Sequence, residues 1–464
     1  MVIGAHDGSD TGTKAARPPG PSLVRLVTMM AGLDDRAYTW LPELARRYGD
    51  VASIPVPVSA VTMTLVSHPD HVDHVMTRHH GRYPKHESTR EWFFGEPPPL
   101  PLLVGDEWRR TRRELNPYFG ESALAAVCAQ LVAGVTERVG AWTVHADSGE
   151  PVRLQDELGV VVMDGLMRSM FSTRMPTAQL RRFVVATKDY DRHVMSRASS
   201  YLLPSFVPRP FRASGEAAKR FMFDALDELI ARRRREAPRQ SPDVLDVLLG
   251  MSFPGTAEEQ YVRMRSELFG LVLAGVGTTT VALGWTVALL FANPTCLARA
   301  RAEVDALQGA ELEYRHLERL AYVQCCFDEA QRLQAAAPAI IRTAAADDEI
   351  GGYAIPAGSH VLISPYGLHH DPRFWTDPQD FRPSRFLDDK INRNAYVPFN
   401  VGPRKCMGYR LANSEAVLTV AAILRRYEVT LRPGWKPRYD ALGAAGLAGG
   451  LPVTLSRRGH RRPR

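Results

Sequence analysis

The stretch "PFNVGPRKCMGYRLANSEAVLTV", from Pro398 to Val420, places a single cysteine where its sulfur is suited to act as a ligand. A Gly-Pro pair predicts a tight turn, and Cys406 follows it just before an amphipathic run that predicts a helix. Unpaired N–H groups at the start of a helix stabilise negative charge, so the pKa of Cys406 is expected to be lowered. Arg404 and Lys405 add positive charge beside the sulfur.

Two neighbours of the cysteine suit a bound group with a flat face. Phe399 offers an aromatic wall, and Gly408 removes a side chain where such a group would approach closely. The 5 cysteines are too few and too scattered for a disulfide framework, and no Cys-x-x-Cys pair indicates zinc. No Cys–His pairing supports a nucleophile. A redox thiol, a metal ligand and a packing residue all stay open on these residues alone.

Composition and charge are those of a large globular chain without a nucleic-acid surface. The 464 residues are 45% hydrophobic and 23% charged, with a net charge of +7. The cations are spread along the chain rather than clustered with stacking aromatic residues, which argues against nucleic acid as a partner. The run Arg232 to Arg235 is expected to end a helix, where cations complement the helix dipole. A modest positive face still suits an acidic protein partner.

The order of predicted elements indicates one mainly α-helical domain with small β sheets. Helical periodicity dominates up to about residue 334, whereas the β-leaning runs lie near residues 51–66 and 337–364. We expect residues 1–21 to form a disordered lead-in, residues 22–456 to form a single domain, and residues 457–464 to form a basic tail. The N-terminus has neither a signal-peptide core nor a membrane anchor, so a cytoplasmic location is expected.

The run from Leu268 to Ala292 is long enough and apolar enough to span a membrane. It contains four glycines and three consecutive threonines, and no basic loop bias flanks it. A helix that is apolar all round is also what the centre of a large domain requires. We therefore predict a buried central helix.

The pattern around the cysteine, Phe399-x-x-Gly402-x-Arg404-x-Cys406-x-Gly408, resembles the haem-binding signature of the cytochrome P-450 (haem-thiolate monooxygenase) family. The resemblance implies the cytochrome P-450 fold, with haem b held between the long central helix and the helix after the cysteine loop. It also implies that Cys406 is the proximal ligand of the haem iron.

Other segments resemble the same family in the same order along the chain. "FDEAQRL" supplies Glu329 and Arg332, whose i, i+3 spacing puts both charges on one helical face. "DFRPSRF" supplies Arg385, which the resemblance joins to them in a buried structural network. Alone, a Glu-x-x-Arg pair is more often a solvated helix pair. The resemblance treats His369 and His370 in "LHHDP" as structural rather than as metal ligands.

A cationic clamp for the two haem propionates is implied by three further segments. "GDEWRRTRREL" supplies Trp108 and Arg112, an i, i+4 pair on one helical face. Arg342 in "PAIIRTA" and Arg404 in the cysteine loop complete the clamp. Taken alone, each arginine would more often be a solvated surface charge.

The distal side of the implied haem departs from the family pattern. The resemblance aligns "AGVGTTT" with the family's Ala/Gly-Gly-x-Asp/Glu-Thr, so Ala274 and Gly275 would let the helix lie against the haem. Thr278 aligns with the oxygen-activating threonine, and its hydroxyl is expected to bond the carbonyl four residues back. Gly277 replaces the family's acid, so protons would come through water, through Thr279 and its neighbours, or through the substrate.

The resemblance implies a monooxygenase that inserts one atom of O2 into a hydrophobic small molecule: a terpenoid, a polyketide or a fatty-acid-like compound. Electrons would come from NAD(P)H through a ferredoxin and its reductase, docked near the cysteine loop and Arg109, Arg110 and Arg113. The predicted pocket walls are apolar: Phe93, Phe94, Leu102, Val276, Ala336, Ile340 and Leu447.

Two alternative functions stay open. Gly277 keeps a peroxygenase or an O2-independent isomerase or dehydratase in consideration, because such enzymes avoid the usual activation of oxygen. A non-catalytic haem sensor or carrier is a different class, and it would be expected to carry a signalling or DNA-binding module.

Overall fold

Helices form most of the molecule, because apolar residues recur with helical spacing through most of the sequence. In this computed structural model the described residues are 15–31, 38, 40–56, 62–85, 97–198, 211–309, 311–387, 391–440 and 446–459. Within those residues the α-helices are α1 (Leu23–Ala31), α2 (Trp40–Tyr48), α3 (Pro69–Asp73), α4 (Gly105–Leu115), α5 (Glu121–Gly140), α6 (Thr143–Ser148), α7 (Leu154–Phe171), α8 (Thr177–Ala198), α9 (Arg212–Arg235), α10 (Val244–Gly250), α11 (Ala257–Ala292), α12 (Pro294–Asp305), α13 (Ala321–Leu333), α14 (Pro365–His369) and α15 (Tyr409–Arg426).

The strands are short and form small sheets, as predicted. They are β1 (Val51–Ile54), β2 (Met63–Val66), β3 (Val152–Arg153), β4 (Ile340–Thr343), β5 (Asp348–Ile350), β6 (Tyr353–Ile355), β7 (His360–Ile363), β8 (Tyr427–Leu431) and β9 (Pro452–Arg457). The largest sheet has the order β1-β2-β7-β4, and the others are β3-β9-β8 and β5-β6. Strand β2 runs parallel to β7, with Met63 opposite His360, so segments far apart in sequence are joined side by side.

The central helix α11 lies in the core of the domain. A capping box starts it: Glu259 N–H donates to Thr256 Oγ1 at 3.3 Å and Thr256 N–H donates to Glu259 Oε2 at 2.7 Å. The helix packs against α7, α13 and α15. Two stretches of the described chain, Glu121–Ser148 and Ala257–Ala292, could cross a membrane by length and composition, but 72% of the apolar window of the second is buried. The prediction of a buried central helix agrees with this packing.

Both ends of the chain contribute more to the fold than predicted. Ala16 forms a bridge with Tyr353, and Ser53 N–H donates to the carbonyl of Pro19 at 2.7 Å. Residues 15–21 therefore lie along the sheets rather than in a disordered lead-in, and residues 1–14 lie outside the described residues. Arg457 ends β9 and its guanidinium pairs with Asp147, so the expected tail begins inside a strand.

Candidate haem site

The cysteine loop has a backbone conformation that only particular residues can adopt. Gly402 has φ +70°, and a Cβ there would overlap the carbonyl oxygen of Met76, so the position requires glycine. Lys405 N–H donates to the Gly402 carbonyl at 3.0 Å, and Cys406 N–H donates to the Phe399 carbonyl at 2.8 Å. These bonds fix the sulfur-bearing residue just ahead of α15, which begins at Tyr409.

The electrostatics of the thiol differ from the sequence prediction. Burial raises the pKa of Cys406 above its ordinary value, although the amide of Gly408 and the charges of Arg112 and Lys405 act in the opposite direction. The predicted lowering was wrong for the free thiol because the sequence shows the helix start but not the desolvation. Cys406 nevertheless remains an exposed residue in this structure.

Gly408 and Phe399 lie in the same loop as Cys406, on either side of it in sequence. A Cβ on Gly408 would meet only Phe119, at 4.0 Å, among the described residues, so protein packing does not require glycine there. Phe399 packs against the main hydrophobic core, and its ring centroid lies 6.3 Å from that of Tyr409. These placements agree with the predicted aromatic wall at Phe399 and with the predicted open approach at Gly408.

Arginines from distant segments converge beside the cysteine loop. Arg112, on α4, donates from Nη2 to the Lys405 carbonyl at 2.9 Å. Arg404 donates to the Leu103 carbonyl at 2.9 Å, and its guanidinium lies 4.3 Å from the centroid of the Trp108 ring. The structure thus brings together three of the four residues predicted for the clamp, with Trp108 stacked on one of its arginines.

The fourth clamp residue, Arg342, and an unpredicted lysine complete this cluster. Burial, and then the charge of Arg404, lowers the pKa of Arg342 to about 9. Burial, and then the charges of Arg342 and Arg404, lowers the pKa of Lys85 to about 7. The guanidinium nitrogen Nη2 of Arg342 is buried without a hydrogen-bond partner in the described part of the chain.

Cations that converge in this way need an anion, because burial of unpaired charge is costly. Within the described residues no carboxylate pairs with Lys85, Arg112, Arg342 or Arg404. The two carboxylates of haem would satisfy this set, and the Cys406 thiolate would supply the iron ligand. The residues present therefore fit haem. Sequence reasoning missed Lys85, whose place beside Arg342 depends on the pairing of Thr343 N–H with the Pro84 carbonyl at 3.0 Å.

A buried network of charged side chains stabilises the segments around the cysteine loop. Glu329 accepts from Arg332 at 2.7 and 2.9 Å and from Arg385 at 2.9 Å. Arg332 uses its remaining N–H groups on the carbonyls of His369, Pro378 and Asp380. Glu329 and Arg332 are both fully buried. The geometry agrees with the structural role implied by the resemblance.

His369 links this network to the cysteine loop. Its Nδ1–H donates to the Arg332 carbonyl at 3.1 Å, and its Nε2 accepts from Val397 N–H at 2.9 Å. Burial, and then the charges of His370 and Arg332, lowers the pKa of His369 to about 3. The ring is therefore neutral and has both nitrogens engaged with the backbone. This placement agrees with the expectation that it is not a metal ligand.

On the opposite side of the site, the central helix presents Ala274 and Thr278 on one exposed face of an otherwise buried stretch. Thr278 Oγ1–H donates to the Ala274 carbonyl at 2.7 Å, as predicted. Thr279 is buried and points away from that face, and a Cβ on Gly275 would meet Leu166 of α7 at 3.1 Å. Gly275 therefore permits close packing between helices.

The predicted pocket walls are only partly placed where expected. Val276 is 1% exposed within the helical core, because it lies on the far side of α11 from Ala274 and Thr278. Leu102 and Leu447 are also buried in the cores, whereas Ala336 and Ile340 are half-buried. Phe93 and Phe94 lie outside the described residues. Ala336 and Ile340 thus stay the described candidates for a pocket wall.

Comparisons with known proteins agree with this geometry. The family described as Cytochrome P450 matches residues 18–443. Cyclooctatin synthase of Streptomyces melanosporofaciens is 31% identical over 351 residues, 72% of this chain and 74% of that protein. Cyclooctat-9-en-7-ol 5-monooxygenase of the same organism is 29% identical over 341 residues, 72% and 73% of the two chains. The crystal structure of the cytochrome P450DA heme domain has the same fold, with a TM-score of 0.80, 24% identity and coverage of 97% and 99%.

Proposed function

The chain belongs to the cytochrome P450 family and is a haem-thiolate monooxygenase, and on that basis we propose which residues hold the cofactor, handle oxygen and receive electrons. Cys406 would bind the haem iron through its sulfur. The observation that carries this assignment is the convergence of unpaired cations beside the loop that holds Cys406. When bound, haem supplies an iron centre that takes up and activates O2.

Lys85, Arg112, Arg342 and Arg404 hold the haem propionates. Arg342 and Arg404 are fixed in place by backbone carbonyls and by the Trp108 ring, so they offer donors at little entropic cost. Lys85 adds a compact positive charge from the segment that pairs with β4. Gly408 and Phe399 would border the cofactor on the cysteine side, and the small side chain of Ala274 would let the central helix approach from the other side.

Thr278 organises oxygen and water on the distal side. Its hydroxyl proton is directed to the Ala274 carbonyl, so its oxygen lone pairs face the exposed side and are free to accept a proton donor such as water. The reaction adds one oxygen atom of O2 to the substrate and reduces the other to water, using two electrons and two protons. The protons come from solvent, and Thr278 holds the water nearest to the reacting oxygen.

The substrate is a hydrophobic small molecule of the terpenoid, polyketide or fatty-acid-like class. Partly buried apolar residues such as Ala336 and Ile340 support this class. A first panel contains cyclooctat-9-en-7-ol, which a relative's name gives as a substrate, together with lauric acid and a macrolide aglycone.

Electrons reach the haem from an NAD(P)H-dependent reductase through a ferredoxin, which docks on the basic surface around the cysteine loop. Lys405 and Arg410 are exposed there, and Arg112 joins α4 to the loop, so exposed Arg110 and Arg113 extend the same surface. An acidic partner complements this charge. Arg110→Glu with Arg113→Glu should slow reduction by ferredoxin at least tenfold at low salt, and unchanged reduction would contradict the docking proposal.

The function itself is tested by turnover of the substrate panel under labelled dioxygen. We expect one labelled oxygen atom in the product with NADPH, ferredoxin and reductase. Turnover with hydrogen peroxide but none with the electron-transfer chain would instead favour a peroxygenase, the alternative that Gly277 in the acid position supports.

A further inference from the structure

Gly277 has no side chain, and the position that its Cβ would take lies next to the carboxylate of Asp191 on α8. A Cβ on Gly277 would lie 3.2 Å from Asp191 Oδ2, and apart from the two chain neighbours and the nearby backbone of α11 itself no other atom of the described residues comes within 4 Å of that point. A carboxylate oxygen at this distance lies in the space that a side chain at position 277 would begin to fill. The acid that the central helix lacks is therefore matched in space by one on α8.

The packing of α8 on the central helix fixes this approach. Tyr190 is adjacent to Asp191, and its ring meets Phe269 edge-on with 5.3 Å between the ring centroids. Both rings are buried. Phe269 and Gly277 are separated by slightly more than two helical turns, about 80° apart around the axis, so they lie on adjoining parts of one side of α11. The aromatic contact thus sets the register that brings Asp191 to Gly277.

The surroundings of Asp191 differ from those of other charges on its helix. Lys188 pairs with Asp156, and Asp189 lies 4.0 Å from Arg192. In contrast, no hydrogen bond or ion pair engages the Asp191 carboxylate within the described residues. Burial alone raises the pKa of Asp191 to about 7, so near neutral pH the carboxyl both holds and releases a proton.

We propose that Asp191 is a proton-relay residue of the distal side, standing in for the missing acid at Gly277 and passing protons through water towards Thr278. Gly277 and Thr278 are consecutive, so the Asp191 carboxyl and the Thr278 hydroxyl flank the same peptide unit. An acid at position 277 would collide with Asp191 and repel it, so only one of the two helices can supply this group.

The proposed step conserves protons and moves no electrons through the protein. The O–H bond of the Asp191 carboxyl breaks as an O–H bond forms on the adjacent water, which releases another proton towards the oxygen being reduced. The Asp191 carboxylate then takes a proton from solvent. The electrons come from the redox partner of the monooxygenase.

The inference rests on the proposed role of Thr278, and the test separates the two. The holoenzyme is reduced photochemically, so that no redox partner is needed, and the peroxide released per O2 consumed is measured. Asp191→Asn should slow O2 consumption by about tenfold or more and raise the peroxide share, because water alone replaces a positioned acid poorly. Asp189→Asn on the same helix is the matched control and should leave both values unchanged.

The double variant Asp191→Ala with Gly277→Asp moves the carboxyl across the gap and should restore most of the lost rate. A second readout does not depend on turnover. The infrared difference between wild type and Asp191→Asn at neutral pH should contain a protonated carboxylic acid band, whereas the difference with Asp189→Asn should lack it.

The inference fails if Asp191→Asn matches Asp189→Asn in peroxide share, or if the infrared band is absent. It also fails if the double variant folds, binds imidazole with wild-type affinity and stays as slow as Asp191→Asn. If the peroxide share and the rate of O2 consumption change in Asp191→Asn but not in Thr278→Val, the role of Thr278 is refuted and the relay through Asp191 stands. If those two values change in Thr278→Val but not in Asp191→Asn, the relay is refuted.

Discussion

Replacement of Glu329 tests whether the buried charge network holds the cysteine loop. In Glu329→Gln, Arg332 and Arg385 remain buried without a counter-ion, because the carboxylate accepts from both guanidinium groups and from the Arg382 N–H. Loss of one partner from a buried ion network costs about 3–5 kcal/mol. That is a large share of the roughly 5–15 kcal/mol that stabilises an ordinary domain.

The matched control is the same substitution in an exposed pair. Glu43 and Arg46 on α2 have the same i, i+3 spacing, but 31% and 72% of their side chains are exposed. Glu43→Gln should therefore cost about 1 kcal/mol or less. Arg385→Met, which leaves Glu329 paired with Arg332, should fall between the two and gives a measurable variant if Glu329→Gln does not fold.

The assay is urea unfolding of the holoprotein, followed by circular dichroism and by haem absorbance. The expected order of destabilisation is Glu329→Gln, then Arg385→Met, then Glu43→Gln, with haem release at lower urea in the first two. Equal midpoints for Glu329→Gln and Glu43→Gln would refute the reasoning, since they would mean that the buried network carries no more stability than a surface pair.

Three other perturbations test the surroundings of the site. The pKa of His369 is about 3 in the folded chain and about 6.5 in the unfolded chain, so the unfolded state binds more protons between these values and stability falls as pH drops through that window. His369→Asn should flatten the slope of unfolding free energy against pH by up to about 1.4 kcal/mol per pH unit. Arg342→Met should speed haem transfer to apomyoglobin by about tenfold or more, because a charge-assisted bond to a propionate contributes about 1.5–3 kcal/mol. Gly402→Ala should abolish haem retention, because its Cβ overlaps neighbouring backbone.

Each of these has a control and a contradicting outcome. Arg109→Gln, at an exposed arginine on α4, should leave the rate of haem transfer unchanged. An equally unchanged rate of haem transfer in Arg342→Met would refute the clamp. Gly434 has φ +73° but open space around it, so Gly434→Ala isolates the backbone strain from the overlap at Gly402. Retained haem in Gly402→Ala would contradict the steric argument, and an unchanged pH slope in His369→Asn would contradict the buried neutral ring.

Local sequence was sufficient for features that lie within one element. The turn at Gly402, the helix after Cys406 and the Glu329–Arg332 spacing all depend on residues within a few positions of each other. The Thr278 bond to the Ala274 carbonyl likewise follows from helix geometry. Helical spacing also shows that Val276 cannot share a face with those two residues, so that prediction was wrong for a reason visible in the sequence.

Features that depend on tertiary packing could not be predicted. Lys85 joins the cation cluster only because its segment pairs with β4, and Asp191 reaches Gly277 only because α8 packs on the central helix. Neither residue has a local pattern that sets it apart from a surface charge. The pKa of Cys406 was predicted with the wrong sign for the same reason, since desolvation depends on neighbours from the whole fold.

The central claim is that Cys406 ligates the haem iron through its sulfur. The most direct measurement is the absorption spectrum of the reduced, carbon-monoxide-bound protein, recorded for wild type and for Cys406→Ser. We predict the strongly red-shifted thiolate band in wild type and its loss in the variant, with haem content determined separately. A folded wild-type protein that binds haem without that band, or a variant that keeps it, would contradict the claim.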